Sequence, residues 1–340
     1  MKYAHIFQTL EEQNAFILSN DYKEPFVGVV SQNDDYLVDY NKFYDSDLAD
    51  RLTETPLTIV ALSGGNFTIK SNNASLSKTI EYKKNEGAWT SVNITTATTT
   101  ISVSVGDKLS FRGNNTTYST GTGAFCNFGN SGTTTCKFVA YGNIMSLIAA
   151  SNFSSLAQFT GTYALCNLFY NATGLKDASC LLLPSTVLTE GCYYGLFDHT
   201  AIKFPPKSLP SKNVATLSYS KMFSNNANLF EAPLIKGTYV QNSGCTGMFS
   251  NCGGLKAAPT LLFRTVGANG CGNMFENCTK IDKLVAYISN PNTSGNTTGW
   301  LTGVSSSGLF SKLSETDTSL FPRNANGIPA GWEIYNMPSR

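Results

Sequence analysis

The chain has 340 residues, which is enough for two or three domains. Hydrophobic residues make up 41% and charged residues 14%, so a core can form while solubility depends on Ser, Thr, Asn and Gly. The net charge of +1 and the lack of a basic block exclude a phosphate-backbone binder, so we expect no nucleic-acid partner. Because no apolar run approaches the roughly 18 residues of a membrane span, no membrane insertion is expected either.

Residues 1–55 form a distinct N-terminal segment that is rich in Asp, Glu and Tyr. The pattern predicts a helix from Thr9 to Leu18 and short strands at residues 26–30 and 36–40. These elements are too few for an independent core, so the segment is expected to become ordered against a partner or another copy of itself. Because its first residues contain no apolar stretch, we also expect no secretory signal peptide.

Residues 56–150 are predicted to form a β-sandwich. Short segments alternate apolar and polar residues there, and Gly, Asn and Ser separate them at intervals of roughly ten residues. The predicted strands are residues 57–61, 67–70, 79–82, 89–92, 100–103, 109–112 and 136–139.

Residues 151–340 contain a repeat that predicts a solenoid. An apolar residue followed by phenylalanine recurs, at intervals of 28, 26, 26 and 26 residues, at Phe169, Phe197, Phe223, Phe249 and Phe275. An aliphatic residue follows each phenylalanine by five or six positions, at Leu175, Ile202, Leu229, Leu255 and Ile281. Because one unit cannot bury its own apolar edge, successive units are expected to stack Phe on Phe and Leu on Leu in a continuous core.

The period lies in the range of leucine-rich-type repeats, in which each coil holds a short strand and a turn or short helix. We place the strand near Leu255–Pro259 and the Met-Phe pair on the short helix opposite. Residues 285–340 are rich in Asn, Ser, Thr and Gly and are predicted to form a C-terminal cap over the last coil. The predicted fold class is therefore mainly β, with a small N-terminal anchor segment, a β-sandwich and a leucine-rich-type repeat solenoid with a cap.

The residues that could carry chemistry favour binding over catalysis. Neither histidine, His5 or His199, belongs to a nucleophile motif, and the acidic residues of the repeat do not recur at one repeat position. The nine cysteines contain no CxxC pair, so no metal site is expected. A disulfide framework is not expected in a chain without a signal peptide, so the cysteines are predicted to be buried thiols. We therefore predict no catalytic residue, no metal, no cofactor and no enzymatic activity.

Three aromatic residues just before the phenylalanine anchors are candidates for a ligand-binding face: Tyr193, Tyr194 and Tyr219. Aromatic side chains contact sugars and proteins over a large area. The alternative is that these rings pack between the coils.

The pattern Phe-x-x-Cys-x-x-Leu-x-x-Ala-Pro, clearest in residues 248–261, resembles the BspA-like leucine-rich repeats of gut Bacteroidetes surface proteins and their phages. The other matching pieces are residues 105–115, 141–147, 274–281 and 300–332. The resemblance covers about residues 57–335, and it implies a structural or binding scaffold. The first unit departs from the pattern, with Ala172 in place of Cys and Ser179 in place of Pro.

The N-terminal segment is similar, at Tyr3–His5 and Asp21–Pro25, to the leading segments of structural proteins from crAss-like phages that infect Bacteroides. This similarity implies a capsid (head) fibre protein that is made in the host cytoplasm and carried on the virion surface. It further implies a homodimer or homotrimer that residues 1–55 attach to the capsid or to a second fibre protein, and whose repeat domain contacts a host-surface glycan or protein. The alternatives are a tail fibre or glycan-cleaving tail spike, and a bacterial cell-surface adhesin with the same repeats.

Overall fold

A computed structural model describes residues 51–289, 295–313, 318–324 and 326–337, together with the backbone of three short strands near the N-terminus. Those strands are β1 (Ile6–Phe7), β2 (Val29–Gln32) and β3 (Asp35–Leu37), and β2 pairs parallel with β1 and antiparallel with β3. β2 and β3 overlap the two strands predicted there. The helix predicted from Thr9 to Leu18 lies outside the described residues.

Nine strands follow a helical turn at residues 51–54. They are β4 (Thr58–Ala61), β5 (Gly65–Ser71), β6 (Lys78–Lys84), β7 (Thr90–Ile94), β8 (Thr99–Val103), β9 (Lys108–Gly113), β10 (Ser119–Gly121), β11 (Ala124–Phe128) and β12 (Phe138–Asn143). Each of the seven strands predicted in this region is present, and β10 and β11 are additional.

These strands form two sheets that pack face to face. One sheet has the order β10-β11-β5-β8, and β7-β6-β9-β4-β12 run consecutively in the other. Phe67 of the first sheet lies between Phe111 and Phe138 of the second, with ring centroids 5.8 Å and 5.2 Å away. The mixed apolar and polar strands therefore bury their apolar side in a β-sandwich, as predicted.

The sandwich is joined directly to the repeat region. Two short 3-10 helices, η1 (Ile144–Leu147) and η2 (Phe153–Ser155), lead into the repeats. β12 then pairs in parallel with the first two strands of the solenoid, β13 (Leu175–Asp177) and β14 (Leu181–Leu182). The two regions share one sheet and one continuous core, so the sandwich covers the first coil.

The repeats form a stack of coils whose strands are very short. After β14 come β15 (Ser208–Leu209), β16 (Asn213–Val214), β17 (Leu234–Ile235), β18 (Tyr239–Val240), β19 (Thr265–Val266) and β20 (Lys283–Val285). β15 pairs with β17, and β16, β18 and β19 form a second parallel sheet. The C-terminal half of the chain is thus a β-solenoid, as predicted.

The third side of each coil is a run of overlapping turns, and residues with positive φ occur at every fourth position there. Six such turn segments are present, at residues 163–171, 191–199, 217–225, 243–251, 269–277 and 295–303. Thirteen of their 18 positive-φ positions are Gly or Asn, the residues that adopt this conformation at least cost. We call the surface that the six segments form the turn face.

Hydrogen bonds of two kinds alternate along each turn segment. Phe249 N–H donates to the carbonyl of Met274 in the next coil at 2.8 Å, whereas Met248 N–H donates to the carbonyl of Cys245 within its own coil at 3.2 Å. The backbone groups are therefore paired without a helix or a regular strand.

Two details of the predicted coil were wrong. The Met-Phe pair lies in these turns and not on a short helix, because every fourth residue has a positive φ that an α-helix cannot contain. Residues Leu255–Pro259 form no strand. Pairing instead begins just after the proline, at Leu261 or, one coil earlier, at Leu234.

The solenoid core is built from stacked identical side chains. The ten predicted core residues, Phe169, Leu175, Phe197, Ile202, Phe223, Leu229, Phe249, Leu255, Phe275 and Ile281, are all fully buried. Successive phenylalanine rings are 5.8, 5.4, 5.5 and 5.5 Å apart with interplanar angles of 10° or less. The repeat period therefore reflects one continuous aromatic stack.

The C-terminal strands β21 (Gly308–Leu313) and β22 (Trp332–Met337) extend β20 in parallel, with a short 3-10 helix, η3 (Thr318–Leu320), between them. The indole N–H groups of Trp300 and Trp332 donate to backbone carbonyls of this region, and both side chains are buried. The two tryptophans thus close the end of the core.

A polar groove along the turn face

The turn face carries rows of equivalent side chains because each coil repeats the same backbone. One row, at the last positive-φ position of each turn segment, consists of Asn171, His199, Asn225, Asn251, Asn277 and Gly303. We call it the amide row. The residues immediately before it form a second row, the floor row, which consists of Tyr170, Asp198, Ser224, Ser250, Glu276 and Thr302.

The amide row is a ladder of side-chain hydrogen bonds between coils. Asn277 Nδ2 donates to Asn251 Oδ1 at 2.8 Å, and Asn251 Nδ2 donates to Asn225 Oδ1 at 2.9 Å. Asn225 Nδ2 then donates to Asp198 Oδ1 at 2.9 Å and to Ser224 Oγ at 2.8 Å. Since an asparagine amide has two donor hydrogens and two acceptor lone pairs, the bonds between Asn277, Asn251 and Asn225 fix these groups while leaving Asn251 with further hydrogen-bonding capacity.

The floor row brings carboxylates to the base of this surface. Asp198 is largely buried and lies 2.8 Å from His199 Nδ1. Burial raises the pKa of the Asp198 carboxyl above its ordinary value, and the hydrogen bond from Asn225 and the proximity of His199 oppose that shift. Glu276, three coils away, accepts a hydrogen bond from Ser250 Oγ at 3.3 Å.

Members of both rows line a groove of about 530 Å³ that runs from the sandwich across the first five coils. Its lining consists of Thr122, Phe125, Asn167, Tyr170, Tyr194, Asp198, His199, Lys221, Ser224, Asn225, Thr246, Gly247, Ser250, Asn251, Asn273 and Glu276. The volume is within the range of small-molecule sites, roughly 300–1,000 Å³, but the lining is far more polar than is usual for them. We call this feature the turn-face groove.

Aromatic side chains are concentrated at the sandwich end of the groove. The rings of Phe125 and Tyr170 are 5.7 Å apart, and Tyr170 lies 5.5 Å from the imidazole of His199, both in edge-to-face contact. Each of these three side chains is at least partly exposed. Asn167 connects this end of the groove to the sandwich, because its Nδ2 donates a hydrogen bond to the carbonyl of Thr122 at 3.0 Å.

Of the three tyrosines predicted to contact a ligand, the structure brings only Tyr194 to the groove. Tyr193 and Tyr219 are 1% and 0% exposed, and their rings stack on each other with centroids 6.3 Å apart. Both therefore pack between coils, which was the alternative interpretation, and neither ring is available to a ligand. The reason is the four-residue period of the turn segment: the two residues that follow the positive-φ position Gly191, Cys192 and Tyr193, are buried, and the next residue, Tyr194, is partly exposed.

Sequence reasoning missed most of the groove. The recurrence of Asn or Gly at every fourth position, as in Asn269, Asn273 and Asn277, was the signal that could have located it. That spacing is typical of repeated left-handed turn positions. The junction residues Thr122 and Phe125 gave no such signal, because they enter the groove only through the contact between sandwich and solenoid.

The two carboxylates that line the groove, Asp198 and Glu276, are too far apart to act as a glycosidase pair. Three coil steps, each of about 5.5 Å between stacked rings, separate the coil of Asp198 from that of Glu276. Glycoside hydrolysis needs two carboxyl groups roughly 5–10 Å apart, which these two residues do not provide. Within the described ranges, no group of three or more His, Cys, Asp or Glu side chains is placed to bind a metal ion.

The cysteines three residues after a phenylalanine anchor have a structural role in the coils. All nine cysteines of the chain are buried and free. Cys252 Sγ donates to the carbonyl of Phe223 at 2.9 Å, and Cys278 Sγ donates to that of Phe249 at 3.0 Å. Asn226 makes the equivalent bond to Phe197 at 2.7 Å, so this repeat position satisfies the carbonyl of the preceding phenylalanine anchor.

No protein-family profile, curated protein or solved structure matches this chain. In the part of the chain that the structure describes, no helix has the length and apolar character needed to cross a membrane.

Proposed function

We propose that this chain is a structural component of a phage virion, a capsid fibre protein whose solenoid displays the turn-face groove to a host-surface or environmental ligand. The groove is the observation that carries the binding role. It is a long, polar surface whose side chains are already held by one another, so a ligand would meet groups that need little ordering. The resemblance to BspA-like repeats and to crAss-like phage structural proteins supports the virion assignment.

The geometry of the turn-face groove favours ligand binding over catalysis. The two groove carboxylates are separated by three coils, and the buried thiols have pKa values raised by burial, to about 12 for Cys192 and Cys278. A thiol in this state is a poor nucleophile at neutral pH. We therefore propose a scaffold that acts by multivalent binding, in which several copies on one particle convert weak contacts into avidity.

The charge distribution supports attachment through the N-terminal segment. Residues 1–55 hold 11 of the 23 acidic residues but only four of the 24 basic residues, so the remainder of the chain is positively charged. An acidic segment that cannot form its own core is suited to binding another protein surface. We propose that it attaches the chain to the capsid or to a second fibre protein and joins copies into a homodimer or homotrimer.

Immunogold labelling of purified crAss-like virions with an antibody against residues 56–340 tests the assignment. Labelling of the capsid surface is the expected result. Label confined to the tail would support the tail-fibre alternative, and label on uninfected Bacteroides cells would support the adhesin alternative. Release of oligosaccharides when the protein is incubated with host capsular polysaccharide would support a glycan-cleaving spike and contradict the non-enzymatic role.

A further inference from the structure

We propose that the turn-face groove binds a linear, uncharged polysaccharide that carries acetamido groups, with its chain parallel to the solenoid axis and one sugar ring on each coil. This inference rests on the proposed binding function and names the ligand class. It is carried by the repeated spacing of the groove, by the hydrogen-bonding groups of the amide row and by the aromatic end.

The spacing of the groove fits a polymer. Its rows repeat at the interval of the core stack, 5.4–5.8 Å, along five coils. That interval is close to the advance of one pyranose ring in an extended chain. An extended polymer can therefore advance by one ring per coil along the groove, and each ring contacts the polar side chains of one coil.

The amide row favours a sugar that carries an acetamido substituent. Asn251 donates one hydrogen to Asn225 and accepts one from Asn277, so it retains a second N–H and a second lone pair. An acetamido group presents one carbonyl acceptor and one N–H donor, the complement of this pair. Hydroxyl groups of Thr246 and Ser224, which also line the groove, can contact the ring hydroxyls.

The floor row favours a neutral polymer over an acidic one. Two carboxylates, Asp198 and Glu276, line the groove against one lysine, Lys221, and a uronate or phosphate group laid over either carboxylate would place like charges together in a partly desolvated site. A neutral polymer avoids this repulsion. The partly exposed rings of Phe125, Tyr170 and Tyr194 at the sandwich end offer the apolar faces on which a sugar ring can stack.

Calorimetric titration of the full chain with chitooligosaccharides of one to seven sugars, and with the matched cello-oligosaccharides that lack acetamido groups, tests the inference. Affinity for the chitooligosaccharides should rise about threefold to tenfold with each added sugar, as one net hydrogen bond per ring predicts. The rise should stop at about five sugars, because the groove spans five coils. Cello-oligosaccharides should bind at least about tenfold more weakly.

A matched pair of variants locates the site. Asn251→Gly removes an amide from the middle of the groove and should lower the affinity for the pentasaccharide about tenfold. Glycine accepts the positive φ of 61° at this position, as Gly303 does at 73° in the last coil, so the backbone is retained. Asn171→Gly is the control, since it makes the same change in the same row outside the groove and should leave the affinity unchanged.

Equal binding of both oligosaccharide series, an affinity independent of length, or no binding of either series would overturn the inference. So would an equal loss of affinity in the Asn171→Gly control. The proposed function is tested separately by attachment to cells. If groove variants weaken cell attachment while chitooligosaccharides fail to bind, the ligand class is wrong and the binding role stands.

Discussion

Replacing Phe249 by alanine should strongly destabilise the solenoid. The ring is fully buried and lies between Phe223 and Phe275, 5.5 Å from each and within 6° of parallel. Truncation of a buried phenylalanine costs about 3–5 kcal/mol, which is a large share of the roughly 5–15 kcal/mol that stabilises a domain. Because each coil contacts only its neighbours, the cavity weakens the stack on both sides.

Urea unfolding followed by circular dichroism measures this effect. Phe249→Leu should lose only about 1–2 kcal/mol, since most of the apolar volume is kept and Leu301 holds the equivalent position in the last coil. Phe230→Ala is the control, because that ring is 44% exposed, and it should cost about 1 kcal/mol or less. A loss for Phe249→Ala no larger than for Phe230→Ala would refute the continuous aromatic stack.

Three further predictions follow from particular contacts. Burial raises the pKa of Asp198, so the stability that this carboxyl contributes is present below about pH 3.9 and is lost as pH rises through the folded pKa. Asp198→Asn should therefore raise the free energy of unfolding at pH 7 and change it little at about pH 3. A lower free energy of unfolding for the variant at pH 7, measured by chemical denaturation, would contradict this. Ellman's reagent at about pH 8 should label no thiol in the native protein and all nine after denaturation, because all nine cysteines are buried and unpaired. Fast labelling of the native protein would contradict this prediction and show that a thiol is exposed. Gly247 and Gly195 have φ of 60° and 57°, so alanine at either position should cost roughly 1–2 kcal/mol of stability because of αL strain. Gly195→Ala should lower the thermal unfolding temperature more than Gly247→Ala does, because its Cβ would overlap Asn167 Oδ1. Equal losses for the two variants would contradict that contact.

The sequence was sufficient to predict the repeat and its core. A phenylalanine every 26 to 28 residues with an aliphatic residue five or six positions later can be buried only by stacking, and the structure buries all ten of the predicted residues. The strands of the sandwich were equally visible, because half-buried strands alternate apolar and polar residues. Such patterns lie within short segments of the sequence, and only one arrangement of the segments buries their apolar residues.

The backbone of the third side could not be predicted from apolar spacing alone. Apolar residues such as Met248 and Phe249 satisfy both a short helix and a run of turns, since both conformations bring them to one side. The deciding information was the conformation required at Gly247 and Asn251, both of which have positive φ. Tyr193 and Tyr194 illustrate the same limit, because adjacent residues of similar character are separated into core and groove by that backbone.

The contact between sandwich and solenoid could not be predicted from the sequence for a different reason. β12 pairs with β13 and β14 across more than 30 residues, and the aromatic end of the groove depends on this contact. Nothing in the local pattern of Phe125 or Tyr170 indicates that the two rings meet. Long-range pairing of this kind is specified by the complementarity of two surfaces and not by any one segment.

The most direct test of the account is attachment of the labelled full chain to Bacteroides cells, measured by flow cytometry with a variant that fills the groove. Thr246 is partly exposed and lines the groove, so Thr246→Trp should block it, whereas Asn228→Trp places the same bulk on an exposed position outside it. The account predicts at least about a tenfold loss of attachment for Thr246→Trp and none for Asn228→Trp, with unchanged circular dichroism for both. Equal attachment by the two variants would contradict the claim that the turn-face groove is the functional surface.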